Sequence, residues 1–234
     1  MKFRQFKPLQ LEALYAHLDL KRDVLLSTAT SGGKSLAFII SQSDTDKVVL
    51  IVSPLRALME DQIHKLDVEF NMKGKSLMTM SGELSADERL SVQTGRVKFI
   101  FAAPEAILCI RSFLETLARD SLLQMIVFDE VHCISLWGHT FRTAYLDCDA
   151  FRKSQLLRSI PQLLLSATVT SAVIRDLATI LLLPDGFCFL KGDMNHPGHF
   201  YSFKPFTSND VDLAPIMQSA IDAKYAICEY SYSW

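Results

Sequence analysis

The stretch STATSGGKSLAF, residues 27–38, decides how this sequence is interpreted. An apolar run typical of a buried strand leads into it, and a helical pattern of apolar residues leaves it. Gly33, Lys34 and Ser35 match the end of the phosphate-binding consensus, and Thr28 stands where that consensus has its first glycine. The strand–loop–helix context predicts a phosphate-binding loop; the alternative is a glycine-rich turn before an ordinary helix, with a solvated Lys34.

The predicted loop would bind phosphate through backbone N–H groups that converge where the strand meets the helix. In this interpretation Lys34 reaches the β- and γ-phosphates, and the Ser35 hydroxyl coordinates Mg²⁺. Gly32 and Gly33 let the backbone approach the phosphates closely.

The stretch VFDEVH, residues 127–132, ends another apolar run with two carboxylates. Asp129 is placed to hold Mg²⁺, directly or through water, and Glu130 is placed to polarise the attacking water. Two solvated acids at a strand end would be the alternative for this motif alone. Together with the loop, the pair predicts nucleotide hydrolysis.

Two further stretches carry weaker signals. In LLSATVT, residues 164–170, Ser166 and Thr168 could link the nucleotide site to another surface, or simply cap the next helix. In FKPLQLEAL, residues 6–14, Gln10 offers the donor and acceptor that match the edge of adenine, or lies on the solvated face of a helix.

The stretch CISLWGHTFRTAY, residues 133–145, concentrates aromatic and basic side chains. We expect an exposed loop, because aromatics beside a cation can stack on bases and contact phosphates. A core aromatic cluster is the alternative. The side chains concerned are Trp137, His139, Phe141, Arg142 and Tyr145.

Short apolar runs alternate with longer amphipathic stretches along most of the chain. The runs are nearly continuous in apolar residues, which indicates strands covered on both faces, as in a parallel sheet. The sequence therefore predicts a doubly wound, mostly parallel α/β sheet. The predicted strands are 23–29, 47–54, 75–81, 97–104, 124–130, 161–168 and 186–192, and the helices are 34–42, 56–70, 104–120 and 170–182.

The composition of the chain limits which classes of protein and partner are possible. The 234 residues carry a formal net charge of -2 and are 49% hydrophobic, so bulk charge neither indicates nor excludes a nucleic-acid partner. The five cysteines are scattered without zinc-ligand spacing, as expected of thiols in a reducing compartment. No signal-peptide core and no run long enough to cross a bilayer is present. We expect an intracellular protein without a membrane partner, nuclear if eukaryotic and cytoplasmic if bacterial.

In their order and spacing, the motifs resemble the N-terminal part of RecQ-family DNA helicases, in helicase superfamily 2. The resemblance covers roughly residues 3–200, and the stretch after Asp-Glu is its most specific part. It is carried by FKPLQLEAL, TSGGKSL, VSPLRALMEDQ (52–62), AAPEAIL (102–108), DEVHCISLWGHTFR (129–142) and SATVT (166–170).

The resemblance implies a RecA-like P-loop NTPase domain that uses ATP and Mg²⁺ and acts on single-stranded or forked DNA. The implied nucleotide-binding residues are Lys7, Gln10, Thr30, Ser31, Gly32, Gly33, Lys34 and Ser35. Lys34, Asp129 and Glu130 would be catalytic, with Ser35 and Asp129 at the metal. The implied DNA-binding or coupling residues are Pro54, Arg56, Gln62, His132, Trp137, His139, Phe141, Arg142, Ser166 and Thr168.

Three positions depart from the family pattern. Ser31 stands where glycine is usual and could crowd the phosphates. Val131 replaces an alanine, which should be tolerated. Arg56 replaces an uncharged residue, which favours phosphate contact if it is exposed.

The resemblance also implies a second RecA-like domain that supplies an arginine to the γ-phosphate. We expect a domain over residues 1–193, a linker over 194–208 and the truncated start of that second domain over 209–234. The predicted function is the motor domain of a 3′-to-5′ ATP-dependent DNA helicase. Two alternatives stay open: a catalytically weak nucleotide- or DNA-binding paralogue or fragment without helicase activity, and an RNA helicase of the same superfamily.

Overall fold

The computed structural model describes residues 6–29, 32–42, 45–137, 148 and 150–193, with backbone alone at 136, 137 and 150. The chain divides into two units, Met1–Asn195 and His196–Trp234, and every described residue lies in the first. The predicted linker and second-domain start lie outside the described residues, so the domain boundaries stay predictions.

Seven parallel strands form one sheet in the order β3-β4-β2-β5-β6-β1-β7. Each lies within one of the seven predicted runs or within one residue of it. The doubly wound parallel α/β fold is therefore confirmed, and it is the architecture of a RecA-like domain. The strands are β1 Val24–Ser27, β2 Val48–Val52, β3 Ser76–Thr79, β4 Phe99–Ala102, β5 Leu123–Phe128, β6 Gln162–Ser166 and β7 Cys188–Lys191.

Helices connect the strands and cover the sheet. The α-helices are α1 Pro8–Leu14, α2 Leu36–Ile40, α3 Arg56–Glu69, α4 Ala86–Gln93, α5 Ile107–Arg119, α6 His132–Trp137, α7 Ala150–Lys153 and α8 Ser171–Ile180. A π-helical turn, Tyr15–Asp19, follows α1, and a 3-10 turn, Pro104–Ala106, precedes α5. Within the described ranges, no helix is long and apolar enough to cross a membrane.

The sheet separates two hydrophobic layers. Leu25 of β1 packs in the layer that contains α5 and α8, and Leu26 packs in the layer that contains α1, α2 and α3. All residues of β2 and β6 are buried. Burial on both faces explains why these strands appear in the sequence as continuous apolar runs.

Helices α4, α6 and α7 differ from the sequence expectations. Helix α4 was not predicted, although Ser85 and Glu88 form a capping box at its start. The segment expected as an exposed loop from Cys133 instead begins as helix α6, and its Cys133 and Ile134 are buried. That part of the expectation is wrong, because these apolar residues pack in the core beside β5.

The topology brings the predicted motifs to one edge of the sheet. Strands β2, β5, β6 and β1 are consecutive neighbours, and all four run in the same direction. Their carboxyl ends therefore lie side by side, about 4.8 Å apart from strand to strand. The segments that follow them contain Pro54, Asp129, Thr168 and the glycine-rich loop. Ligand sites of open α/β sheets lie at such an edge.

Candidate functional site

The glycine-rich loop between β1 and α2 has no room for side chains at its two glycines. A Cβ on Gly32 would lie 2.6 Å from Thr28 Oγ1. Gly33 has a φ of +80°, and a Cβ there would collide with the Gln10 amide nitrogen. Thr28, which replaces the first consensus glycine, thus packs against the loop. Thr30 and Ser31 lie outside the described residues, so the expected crowding by Ser31 stays a prediction.

Lys34 folds back along the loop. Its Nζ donates to Thr28 O at 3.1 Å and lies 3.5 Å from Ala29 O. Burial lowers the pKa of Lys34, and the negative charges of Glu130 and Asp129 oppose that shift. The ammonium is therefore already placed among the groups that are predicted to surround the phosphates.

Gln10 joins α1 to the loop. Its side chain is buried, its Nε2 donates to Gly33 O at 3.1 Å, and its Oε1 accepts from Lys7 N at 2.9 Å. The alternative of a solvated Gln10 is therefore wrong, because the helix turns this residue towards the loop. Lys7 itself is exposed. Adenine recognition by the pair stays a prediction, and Gln10 has a second role that sequence reasoning missed: it fixes the loop.

Both carboxylate oxygens of Asp129 are held by donors. Gln62 Nε2 donates to Oδ2 at 2.5 Å, and the Glu130 N–H donates to Oδ1 at 3.1 Å. Burial raises the pKa of Asp129, and the neighbouring Glu130 charge raises it further. The hydrogen bond from Gln62 lowers it, because that bond stabilises the ionised form.

Glu130 occupies a strained backbone position at the end of β5. Its φ is +47°, in the left-handed region that disfavours side chains. Asp129 N–H donates to Val52 O and Val131 N–H to Leu165 O, so the flanking residues are tied to β2 and β6. These ties hold the turn that places two consecutive carboxylates at the sheet edge.

His132 connects the carboxylates to the segment after β6. Its Nδ1 lies 3.3 Å from Glu130 Oε2 and 3.0 Å from Ser166 Oγ. Ser166 Oγ in turn donates to Thr168 O and accepts from Thr168 N–H, each at 3.1 Å. Contact with the Cys133 sulfur and hydrogen bonding with Glu130 raise the pKa of His132 to about 9. The same His132 bond lowers the pKa of Glu130.

A cavity of about 400 Å³ lies between the loop and α3. Its lining includes the predicted residues Gly33, Lys34, Ser35, Gln62, Asp129 and Glu130, together with the charged residues Asp61, Lys65 and Glu69. The predicted loop and carboxylate motifs thus share one cavity. A second cavity, of about 370 Å³, lies at the opposite edge of the sheet and contains none of the predicted site residues.

The other residues predicted to contact DNA do not lie together in one place. Pro54 is buried, whereas Arg56 is exposed and pairs with Glu60 at 2.8 Å. Gln62, expected on the single-strand path, lies in the cavity against Asp129. The Trp137 side chain and residues His139, Phe141, Arg142 and Tyr145 lie outside the described residues, so their roles stay predictions.

The cavity offers oxygen atoms suited to Mg²⁺. Asp129 supplies a carboxylate and Ser35 a hydroxyl, the hard oxygen ligands that Mg²⁺ prefers. Gln62 Oε1 is buried and has no hydrogen-bond partner within the part of the chain that the structure describes. It could accept a hydrogen bond from a metal-bound water. The residues present therefore fit the predicted ion.

Comparison with known proteins shows which family the domain belongs to. The profile of the DEAD/DEAH box helicase family matches residues 7–177. The ATP-dependent DNA helicase hus2/rqh1 of Schizosaccharomyces pombe is 35% identical over 214 residues, covering 86% of this chain and 15% of the relative. The ATP-dependent DNA helicase Q1 of Rattus norvegicus is 29% identical over 233 residues, covering 96% of this chain and 36% of the relative.

A further relative, from Acanthamoeba polyphaga mimivirus, carries the name of an ATP-dependent RNA helicase and is 31% identical over 216 residues. The match covers 92% of this chain and 38% of that relative. The chain thus spans between 15% and 38% of the length of these three relatives. The resemblance to RecQ-family helicases that the motifs indicated is confirmed, and the chain belongs to the DEAD/DEAH box helicase family.

Proposed function

We propose that this chain is the ATP-binding motor domain of an ATP-dependent DNA helicase. The observation that carries the proposal is the single cavity lined by Lys34, Ser35, Asp129 and Glu130 at the carboxyl edge of the sheet. In this proposal the domain binds ATP with Mg²⁺ and single-stranded or forked DNA. Together with a second RecA-like domain it couples hydrolysis to strand separation.

The proposed binding step is an exchange of partners by Lys34. Its ammonium leaves the carbonyl oxygens of Thr28 and Ala29 and binds the β- and γ-phosphate oxygens, which carry full negative charge. Ser35 and Asp129 would hold Mg²⁺. The bound ion would neutralise charge on the phosphate oxygens.

In the proposed hydrolysis step, Glu130 orients the attacking water. Its low pKa keeps the carboxylate ionised, so it can accept a hydrogen bond from that water. The bond from His132 limits the rotation of the carboxylate and ties it to Ser166. We propose this chain of contacts as the route by which DNA contact, through the segment after His132, influences hydrolysis.

An arginine from the second domain would complete the site. In phosphoryl-transfer enzymes such an arginine contributes on the order of 10³-fold or more to turnover. We therefore expect the domain over residues 1–193 by itself to bind ATP and DNA weakly, with little turnover and no strand displacement.

The decisive measurement is ATP turnover by the purified chain, with and without single-stranded DNA, beside Lys34→Ala. Turnover that DNA stimulates and the substitution abolishes supports the proposal. Low turnover that still exceeds that of Lys34→Ala is the expected result, whereas turnover no higher than that of Lys34→Ala, with nucleotide binding intact, supports a binding module instead. Efficient strand displacement by this chain alone would contradict the need for a second domain.

RNA is the second candidate substrate, because one relative carries an RNA helicase name. The assay separates the two when single-stranded RNA and DNA of the same sequence and length are compared at one salt concentration. Fixed salt matters because the phosphate contribution to affinity depends steeply on it. Stronger stimulation by RNA would replace the DNA proposal.

A further inference from the structure

Gln62 contacts a residue that its sequence motif does not suggest. The resemblance places it among residues of the single-strand path, whereas its Nε2 lies 2.5 Å from Asp129 Oδ2. We propose that Gln62 is a positioning residue that orients the Asp129 carboxylate for Mg²⁺ and ties the metal site to α3. This inference rests on the proposed function, because it assumes that Asp129 holds the ion.

The first argument is the geometry of the carboxylate. Its Oδ1 is fixed by a neighbour in the chain, the Glu130 N–H, and its Oδ2 by Gln62 from another element. Without Gln62 the carboxylate keeps a single described donor and can rotate about its last side-chain bond. Ordering a ligand before the ion arrives lowers the cost of binding.

The second argument is the other end of the same amide. Gln62 Oε1 is buried, and within the described ranges it has no hydrogen-bond partner. A buried acceptor without a donor is unfavourable, because it has given up its hydrogen bonds to water. Gln62 also lines the cavity of the proposed nucleotide site, so a water bound to the ion is a donor that could satisfy Oε1.

The third argument is the position of Gln62 along α3. The helix begins at Arg56, which is exposed, and Gln62 lies six residues further on. Six residues correspond to about 9 Å along a helix axis. A shift of α3 on ligand contact near Arg56 would therefore move the donor of Asp129 as part of the same helix.

The test compares Gln62→Met with Gln62→Asn. Methionine has a similar length and no donor, whereas asparagine keeps the amide on a side chain one methylene shorter. His64→Gln, at an exposed position of α3, is the matched control. Thermal unfolding checks that each variant is folded. The readout is binding of a fluorescent ATP analogue, titrated with Mg²⁺ and repeated without it.

We expect both Gln62 variants to raise the Mg²⁺ midpoint about tenfold, the loss of one hydrogen bond to a charged group. Binding of the analogue without Mg²⁺ should stay at the wild-type level, a separation that general damage to the fold would not produce. We also expect a smaller ratio of DNA-stimulated to basal turnover.

An unchanged Mg²⁺ midpoint in the folded variants overturns the inference and leaves the proposed function intact. Loss of analogue binding without Mg²⁺ overturns it as well, because Gln62 would then shape the nucleotide site as a whole. If one variant does not fold, the other decides. If the wild-type chain binds no analogue under any condition, the proposed function fails, and the inference falls with it.

Discussion

His132 Nδ1 lies 3.0 Å from Ser166 Oγ, so a hydrogen bond joins the segments that follow strands β5 and β6. Ser166 is fully buried, and its hydroxyl also bonds to the backbone of Thr168. One hydroxyl therefore connects the carboxylate turn to an exposed residue of the next segment. A conformational change in either segment can therefore alter the position of the other through this hydrogen bond.

Ser166→Ala should separate nucleotide binding from its response to DNA. The substitution removes the bonds to His132 and Thr168 and leaves the glycine-rich loop untouched. We expect a loss of about 1–2 kcal/mol in the free energy of unfolding and a reduced stimulation of ATP turnover by DNA. Urea denaturation and turnover assays measure these effects. Ser159→Ala, at an exposed position, is the control, and an unaltered stimulation ratio would exclude the connection.

The raised pKa of His132 predicts a pH dependence of stability. The folded value is about 9 and the ordinary value is 6.5, so the folded state holds the proton more tightly. The stabilising contribution is complete below pH 6.5 and disappears as the pH rises through about 9. Urea denaturation across this range should show a decline in the wild type that is smaller in His132→Gln. Equal slopes would mean that His132 is not protonated in the fold.

The sequence was sufficient for the fold and for the positions of the glycine-rich loop and the carboxylate pair within it. Strands such as β2 are buried on both faces, so their apolar runs are clear in the sequence. Lys34 lies just before the predictable helix α2, and Asp129 directly follows the predictable strand β5. The contact between Gln62 and Asp129 was not predictable, because it joins residues 67 positions apart through side-chain orientation alone.

The start of the aromatic-rich segment departs from the expectation for a different reason. Aromatic and basic residues further along suggested an exposed loop, whereas the buried Val131 and Ile134 stand three apart, a helical spacing. The capping box of Ser85 and Glu88 was an equally readable sign of helix α4. The sequence thus carries a signal for both helices: the spacing of buried apolar residues at α6 and the capping residues at α4.

His17 should make the protein sensitive to acid. It is buried in the π-helical turn after α1, and burial, with a contribution from Lys21, lowers its pKa to about 4. Because the pKa is lowered in the folded state, the contribution of neutral His17 to the free energy of unfolding is complete above pH 6.5. It declines as the pH falls towards 4, because the unfolded chain takes up the proton first. His17→Phe should flatten this decline in urea denaturation. His64→Gln, at an exposed position, controls for the removal of a histidine, and a decline in His17→Phe as steep as in the wild type would contradict the assignment.

Gly33→Ala should damage the loop more than a similar substitution elsewhere. Gly33 and Gly74 have φ values of +80° and +72°, so alanine is strained by about 1 kcal/mol at either position. A Cβ at Gly33 also meets the Gln10 amide, whereas a Cβ at Gly74 meets nothing within 4 Å. The difference between the two variants in the free energy of unfolding isolates the Gln10 contact. We expect nucleotide binding to be lost in Gly33→Ala and kept in Gly74→Ala; equal behaviour would show that backbone strain alone matters.

Arg152→Met should destabilise the domain strongly, because it leaves a buried carboxylate unpaired. Asp23 is 5% exposed, and its Oδ2 pairs with Arg152 while its Oδ1 accepts from the Gln162 N–H. Removal of one partner of a buried ion pair costs about 3–5 kcal/mol. Urea denaturation measures this loss. The control is Arg158→Met, because Arg158 is an exposed cation that lines the same 370 Å³ cavity as Asp23 and Arg152, and its removal should change the free energy of unfolding little.

The double variant Asp23→Asn/Arg152→Met distinguishes the unpaired charge from lost packing. Asparagine is neutral and can still accept from the Gln162 N–H, so much of the stability lost in Arg152→Met should return. Burial already raises the pKa of Asp23 with its partner present. Arg152→Met alone should therefore regain part of its loss as the pH falls and the carboxyl takes up a proton. No recovery in the double variant would assign the whole effect to the packing of the Arg152 side chain.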